Sequence, residues 1–171
     1  MQTATQLRTE FVLEYDWSHH AGGTVVDIGG SQGVVAMVIA KKHPETTIIV
    51  QDRPVPVHDA DVYFFRWIFH DWSTKYCVKI LQALIPALRP KARIILMDAI
   101  IPEPGVLSPY QEREVMKLKI MMKCSFNGNE RTESDWRNLV AGADEQARFE
   151  MVQVLQPQGS QLGFLVIEWT G

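Results

Sequence analysis

The sequence predicts an α/β fold in which a mostly parallel sheet carries helices on both faces and ends in an antiparallel hairpin. Three observations predict it. Short, apolar, β-rich runs alternate with amphipathic segments of helical period along most of the chain, and strands separated by helices pair in parallel beneath two helical layers. The last two apolar runs, Phe149–Leu155 and Leu162–Trp169, are parted only by a turn around Pro157-Gln-Gly159, which is too short for a crossover and makes them antiparallel. The glycine-rich stretch Asp27-Ile-Gly-Gly-Ser-Gln-Gly33 falls between the first strand-like run and the first helical one, where open α/β sheets place their ligand-binding turns.

The elements follow in order. Thr24-Val-Val-Asp-Ile28 is a β-rich run that stops at Gly29-Gly30. Residues 32–42 have helical character and end before His43-Pro44, since a residue ahead of proline disfavours the helical region. Thr47–Gln51 is a second strand with Asp52 at its end, and residues 61–67 form a third. Residues 74–88 are helical because Cys77, Ile80, Leu81, Leu84 and Leu88 fall on one face. Residues 93–98 form another buried strand that ends on Asp98. Helices are expected over 112–124 and 133–141, the second with Thr132 as its N-cap.

Bulk composition narrows the function. The chain has 171 residues, enough for one domain with a real core. Hydrophobic residues at 46% and charged residues at 22% are those of an ordinary globular protein. A net charge of −3 gives no electrostatic case for nucleic acid or an anionic membrane as partner. The two cysteines, Cys77 and Cys124, belong to no CxxC or Cys/His cluster, so neither a metal site nor a disulfide framework is expected. The first residues, MQTATQLRTE, lack the apolar run of a signal peptide. No stretch approaches the ~20 apolar residues of a membrane span. The expected setting is cytoplasmic.

Two groups of residues carry chemistry. Gly29 and Gly30 let the backbone turn sharply beside a ligand, and the helix start after them offers N–H groups to an anion or carboxylate. Asp52 lies about 20 residues on, where an acid accepts hydrogen bonds from ribose hydroxyls. By itself this pattern also fits a dinucleotide fold, or a glycine-rich turn beside a solvated acid. The second group centres on His70, in Arg66-Trp-Ile-Phe-His-Asp-Trp72. It follows a strand and precedes a helix, at the carboxyl edge of the sheet, and a histidine there can take a proton near neutral pH. Asp98 is expected at the same edge, and Glu130 follows a helix in Asn127-Gly-Asn-Glu-Arg-Thr132. A carboxylate against the imidazole would fix its tautomer and stabilise the imidazolium. The bland alternatives are a helix-start histidine, a surface acid at Asp71 and a loop cap at Asp98.

The blocks Val25-Val-Asp-Ile-Gly-Gly-Ser-Gln-Gly33, Ile49-Val-Gln-Asp52, Arg66 to Trp72, Met97-Asp98 with Ile101-Pro-Glu-Pro104, and Glu130-Arg-Thr132 with Asp135-Trp136 together resemble fungal secondary-metabolite O-methyltransferases, relatives of the plant caffeate and flavonoid type. Gly159-Ser160 adds a weaker match, and the resemblance runs from Tyr15 onward. It implies a class I methyltransferase (Rossmann-like) sheet, S-adenosyl-L-methionine as cofactor and a small-molecule hydroxyl, phenolic or enolic, as acceptor. It implies that His70 is the general base, flanked by Asp98 and Glu130. Asp27, Gly29, Gly30 and Asp52 would hold the cofactor, with Arg66 nearby and Trp72 near the adenine. Met122 would pack on the acceptor, although an ordinary core methionine reads equally well there. Residues 1–20 are expected as a helical remnant and 21–171 as the catalytic domain.

The sequence departs from the family in three places. The N-terminal helical domain that drives the family's homodimerisation and walls its acceptor pocket is not represented, so apolar helix surface is expected to be exposed. Between Asp52 and Asp61 the family carries a helix, a strand and an adenine-contacting motif, whereas this chain has only the eight residues 53–60. Eight residues span at most ~28 Å, and parallel strands usually need about a dozen residues to cross over. The expected outcome is a sheet lacking one edge strand, reached by a strained bypass or a shifted strand. Lys119 replaces a common acid on the helix bearing Met122, which bears on the acceptor contacts. Two readings remain for the chemistry: an active O-methyltransferase, or a non-methylating relative acting as pseudoenzyme, partner subunit or cyclase. A truncated product that never folds stably is a third.

Overall fold

A computed structural model describes residues 9–53, 56–160 and 162–171. Residues 1–8 of the expected N-terminal remnant, and Pro54 of the shortened connection, lie outside the described residues. One mixed sheet runs through the molecule, built from β1 (Thr24–Ile28), β2 (Thr47–Gln51), β3 (Val62–Arg66), β4 (Arg93–Ile101), β5 (Arg131–Thr132), β6 (Phe149–Leu155) and β7 (Leu162–Trp169). Its order is β2-β1-β3-β4-β7-β6, with β5 paired to β4 off that path. The first four strands are parallel, β7 runs antiparallel to β4, and β6 antiparallel to β7.

Strand alternation divides the core into two layers. Val25, Val62, Phe64, Ile95, Met97, Phe164 and Val166 point to one face. There they meet Ile39 of α1 (Val34–Lys42) and the aromatic residues Tyr15 and Trp17. Val26, Tyr63, Phe65, Ile94, Leu96, Leu165 and Ile167 point to the other. They pack against Cys77, Leu81 and Leu84 of α2 (Thr74–Leu84) and Trp136, Leu139 and Val140 of α4 (Glu133–Ala141). Residues 9–20 contribute two short 3-10 turns whose Val12, Tyr15 and Trp17 are buried in the first layer. The Trp17 indole donates to the Val12 carbonyl at 2.7 Å.

The sheet ends at β2, and no described strand lies beyond it; the absent strand is an edge strand, as the shortened sequence predicts. In the connection between β2 and β3, Val57 packs on the core at the face that carries α2 and α4. Side chains hold it there. The Gln51 amide donates to the Arg53 carbonyl and accepts from the Val57 N–H, both at 2.9 Å. The Tyr63 hydroxyl lies within hydrogen-bond reach of the carbonyls of Val57 and Ala87, at 2.7 and 2.8 Å. Asp59 takes a left-handed conformation, φ 60°, which Asp adopts more readily than most residues with a Cβ. Strand β1 keeps a parallel ladder with both of its neighbours.

Several element ends differ from the expectation. Strand β4 continues three residues past Asp98, because Ala99 pairs with Leu162, and Ile100 and Ile101 with β5. Helix α2 gives way to a 3-10 turn at Ile85–Ala87, since Pro86 cannot donate to the helical ladder. Helix α1 begins two residues late, after Gly33 at φ 71°. Helix α3 (Pro109–Phe126) starts earlier than expected on a capping box between Ser108 and Gln111. It also bears the apolar exposure that the sequence suggests, at Tyr110, Met116, Ile120 and Met121. No helix among the described residues is long and apolar enough to cross a membrane.

Candidate active site

His70 sits in a 3-10 turn, Phe69–Asp71, between β3 and α2. Ahead of it, Trp67 leaves β3 in a left-handed conformation, φ 57°, with its N–H bonded to the Met97 carbonyl at 3.1 Å. The Trp67 ring lies 4.6 Å from the imidazole and covers one side of it. The His70 residue is 9% exposed.

The three expected acid–base residues converge although they are far apart in sequence. Asp98 is buried, and its carboxylate accepts the backbone N–H of His70 at 3.1 Å and that of Ala99 at 2.8 Å. It therefore anchors the main chain of the turn rather than the imidazole. Glu130, also buried, places Oε1 3.7 Å from His70 Nδ1. At that distance neither group hydrogen-bonds the other, and both Nδ1 and Glu130 Oε2 are buried without a hydrogen-bond partner. Catalytic hydrogen bonds are often long before substrate tightens them. On the far side of the ring, Nε2 lies 3.4 Å from the half-exposed Asp71 carboxylate. Asp71, treated in the sequence as a surface acid, is the residue nearest the more open nitrogen.

Electrostatics follow from that enclosure. Burial works against the imidazolium; Glu130 at Nδ1 and the charges of Asp98 and Asp71 outweigh it and hold His70 above the ordinary histidine value. Burial pushes the Asp98 carboxyl up to about 6, with His70 opposing. Perturbed titrations of neighbouring buried groups are characteristic of functional sites.

The glycine-rich turn has a different internal logic from the one expected. Gly29 is at φ 77°, a conformation that L side chains rarely adopt, and Ile68 packs where a side chain would stand. Gly30 leaves room for the Asp27 carboxylate and for Val50. These glycines thus close the turn onto the sheet as well as opening it to a ligand. Asp27 is 2% exposed, yet its Oδ2 has no hydrogen-bond partner. Burial raises its carboxyl to about 6, against the pull of Arg66. Asp52 is exposed at the end of β2 and accepts the Ser31 N–H at 3.1 Å. An orphaned buried acceptor and an exposed carboxylate on neighbouring strand ends are a pair of hydrogen-bond acceptors that suits the ammonium and ribose hydroxyls of a nucleoside-linked cofactor. Arg66 is half-buried, and burial lowers its pKa.

Asp27 yields a stability prediction. Between about pH 4 and 6 the folded chain keeps a proton on Asp27 that the unfolded chain has lost. Stability therefore falls as pH rises through that window, and levels off above it. Asp27→Asn removes the slope. The stability difference, variant minus wild type, should rise by on the order of 2 kcal/mol from pH 4 to 7. Urea midpoints across that range measure it; a difference that stays flat refutes the buried, protonated carboxyl.

Trp72 is 45% exposed. With Asp71, Ser73, Tyr76 and Asn127 it lines a cleft of about 330 Å³ beside His70. Met122 is buried on α3, the helix whose end abuts the His70 turn, and Lys119 is half-buried one turn before it. A larger hollow of about 540 Å³ lies at the amino edge of the sheet, far from this chemistry. The ion pairs Arg89–Asp61 and Arg93–Glu168 occupy it.

Parallel strands finished by an antiparallel pair, with a glycine-rich turn after the first strand and an acid after the second, define a class I methyltransferase fold. The mitomycin 7-O-methyltransferase MmcR superposes with a TM-score of 0.77 at 20% identity, covering 97% of this chain and 54% of that one. OxaC, solved with sinefungin and meleagrin, superposes with a TM-score of 0.74 at 25% identity over 91% of this chain and 46% of that one. An O-methyltransferase domain signature matches residues 51–145. The grayanic acid biosynthesis cluster O-methyltransferase of Cladonia grayi is 39% identical over 91% of this chain and 40% of its own length. The chain belongs to the O-methyltransferase family, and it spans about 40% of the length of that curated relative.

Proposed function

We propose that this chain carries the catalytic site of an S-adenosylmethionine-dependent O-methyltransferase that acts on a phenolic or enolic hydroxyl of a small natural product. The observation that carries the reading is the enclosed His70, with Glu130 at Nδ1 and Nε2 turned toward the open side. The Glu130 carboxylate beside Nδ1 favours the proton on that nitrogen, which leaves Nε2 as the basic one. The acceptor's O–H proton goes to Nε2, and Glu130, Asp98 and Asp71 stabilise the imidazolium. When bound, S-adenosylmethionine would supply an electrophilic methyl group, carried on a sulfonium sulfur, for transfer to the acceptor oxygen. Asp27, the turn at Gly29-Gly30 and Asp52 would hold that cofactor, with Arg66 and Trp72 flanking it. Met122 would pack on the acceptor. The protein's share is orientation and the base.

One observation favours the second reading, a non-methylating relative. Among the described residues, the bypass after Asp52 supplies no strand beyond β2 to wall the adenine side. A calorimetric titration of the chain with S-adenosylmethionine separates the two. Saturable binding below millimolar supports the methyltransferase reading; its absence at millimolar cofactor leaves the non-methylating one.

A further inference from the structure

Arg131 is 1% exposed and has no carboxylate partner among the described residues. A buried guanidinium is costly unless its donors are satisfied; here main-chain carbonyls take both terminal nitrogens, while Nε is buried without a hydrogen-bond partner. Nη1 donates to the Phe69 carbonyl at 3.1 Å and to the Asn129 carbonyl at 3.0 Å. Nη2 donates to the Trp72 carbonyl at 2.8 Å and approaches Cys77 Sγ at 3.3 Å. The Trp136 ring lies 5.0 Å from the guanidinium carbon. Phe69 and Trp72 bracket the turn that presents His70, and Asn129 immediately precedes Glu130. The two segments touch again where the Asn129 N–H donates to the His70 carbonyl at 3.0 Å. Gly128 fits against the same carbonyl only because it lacks a Cβ.

We propose that Arg131 is a positioning residue: its fork of donors clamps the turn carrying His70 to the segment carrying Glu130, and so fixes the Nδ1–Glu130 separation on which the base depends. Only a planar guanidinium reaches three carbonyls on two segments at once; a lysine is a single point donor. The proposal rests on His70 being the base, and its test is chosen to stand apart from that reading.

The test is an NMR titration of the His70 imidazole in the full chain, in wild type, R131M and R131K. Glu130, Asp98 and Asp71 are the charged groups facing the ring. The His70 pKa is expected to fall by roughly one pH unit in R131M and by less in R131K. Removing a nearby cation would by itself raise that pKa, so a fall reports lost geometry. Cofactor affinity should change less than about two-fold, while kcat drops roughly ten- to a hundred-fold. A titration that is unchanged or moves upward overturns the assignment. So does a shift lost only together with the cooperative thermal transition, which marks Arg131 as merely structural. If wild type transfers no methyl group, the reading of His70 as base fails, and the titration still decides whether Arg131 sets the geometry.

Discussion

His70→Gln is expected to lower methyl transfer by roughly 10²- to 10⁴-fold, the range for losing a positioned general base, while S-adenosylmethionine affinity stays within about two-fold. His70 sits on the turn after β3, whereas the cofactor-side residues Asp27, Gly29, Gly30 and Asp52 sit at the ends of β1 and β2. Glutamine keeps the main chain that Asp98 anchors through the His70 N–H, so the turn survives and only the proton acceptor is lost. In wild type, kcat should rise with pH through a value above the ordinary imidazole pKa, because the surrounding carboxylates hold the proton on the ring. His70→Gln should erase that limb. Kinetics and calorimetry on the same samples check both parts. A parallel fall in affinity and turnover would place His70 in cofactor binding and remove it as the base.

The sheet was legible in the sequence because it follows local rules. Alternating apolar runs set the strands, and loops after parallel strands converge at one edge of a sheet. His70, Asp98 and Glu130 could thus be grouped before any coordinates, although their division of labour could not. That Asp98 would take the His70 main chain, and Glu130 the ring, depends on β4 running on to Ile101 and pairing there with β5. A strand of two residues, Arg131–Thr132, has no periodicity to read; it exists only because β4 offers it an edge. Arg131 was hidden for a related reason. An arginine beside a helix cap reads as surface, and nothing local reveals three carbonyls waiting for it. The bypass after Asp52 was legible as a problem of length. Its solution, the Gln51 amide spanning Arg53 and Val57, is a tertiary detail. The glycines were legible as a turn, but not as the space needed by Ile68 and Asp27.

Trp136→Ala is the substitution expected to cost most stability, about 3–5 kcal/mol from lost burial and the cavity left behind. The ring is fully buried in the layer beneath α2 and α4, and its indole N–H donates to the Ala99 carbonyl at 3.1 Å. It stands 6.2 Å from the Phe69 ring and 5.0 Å from the Arg131 guanidinium. Alanine removes the packing, one face of a buried cation and the donor to a buried carbonyl, each a separate loss. Against a total stability of roughly 5–15 kcal/mol, the variant should melt about 10 °C or more below wild type. Trp136→Phe keeps most of the ring and loses the N–H, so a penalty of about 1–2 kcal/mol is expected. Circular dichroism melts of the three proteins check the order; a Trp136→Ala variant within about 1 kcal/mol of wild type would contradict the burial. The same substitution should also disturb His70, because Trp136 supports both Phe69, at the head of the turn, and the arginine that clamps it. Stability and site geometry are thus carried by one side chain, and a Trp136→Phe protein that melts near wild type should also keep the raised His70 titration.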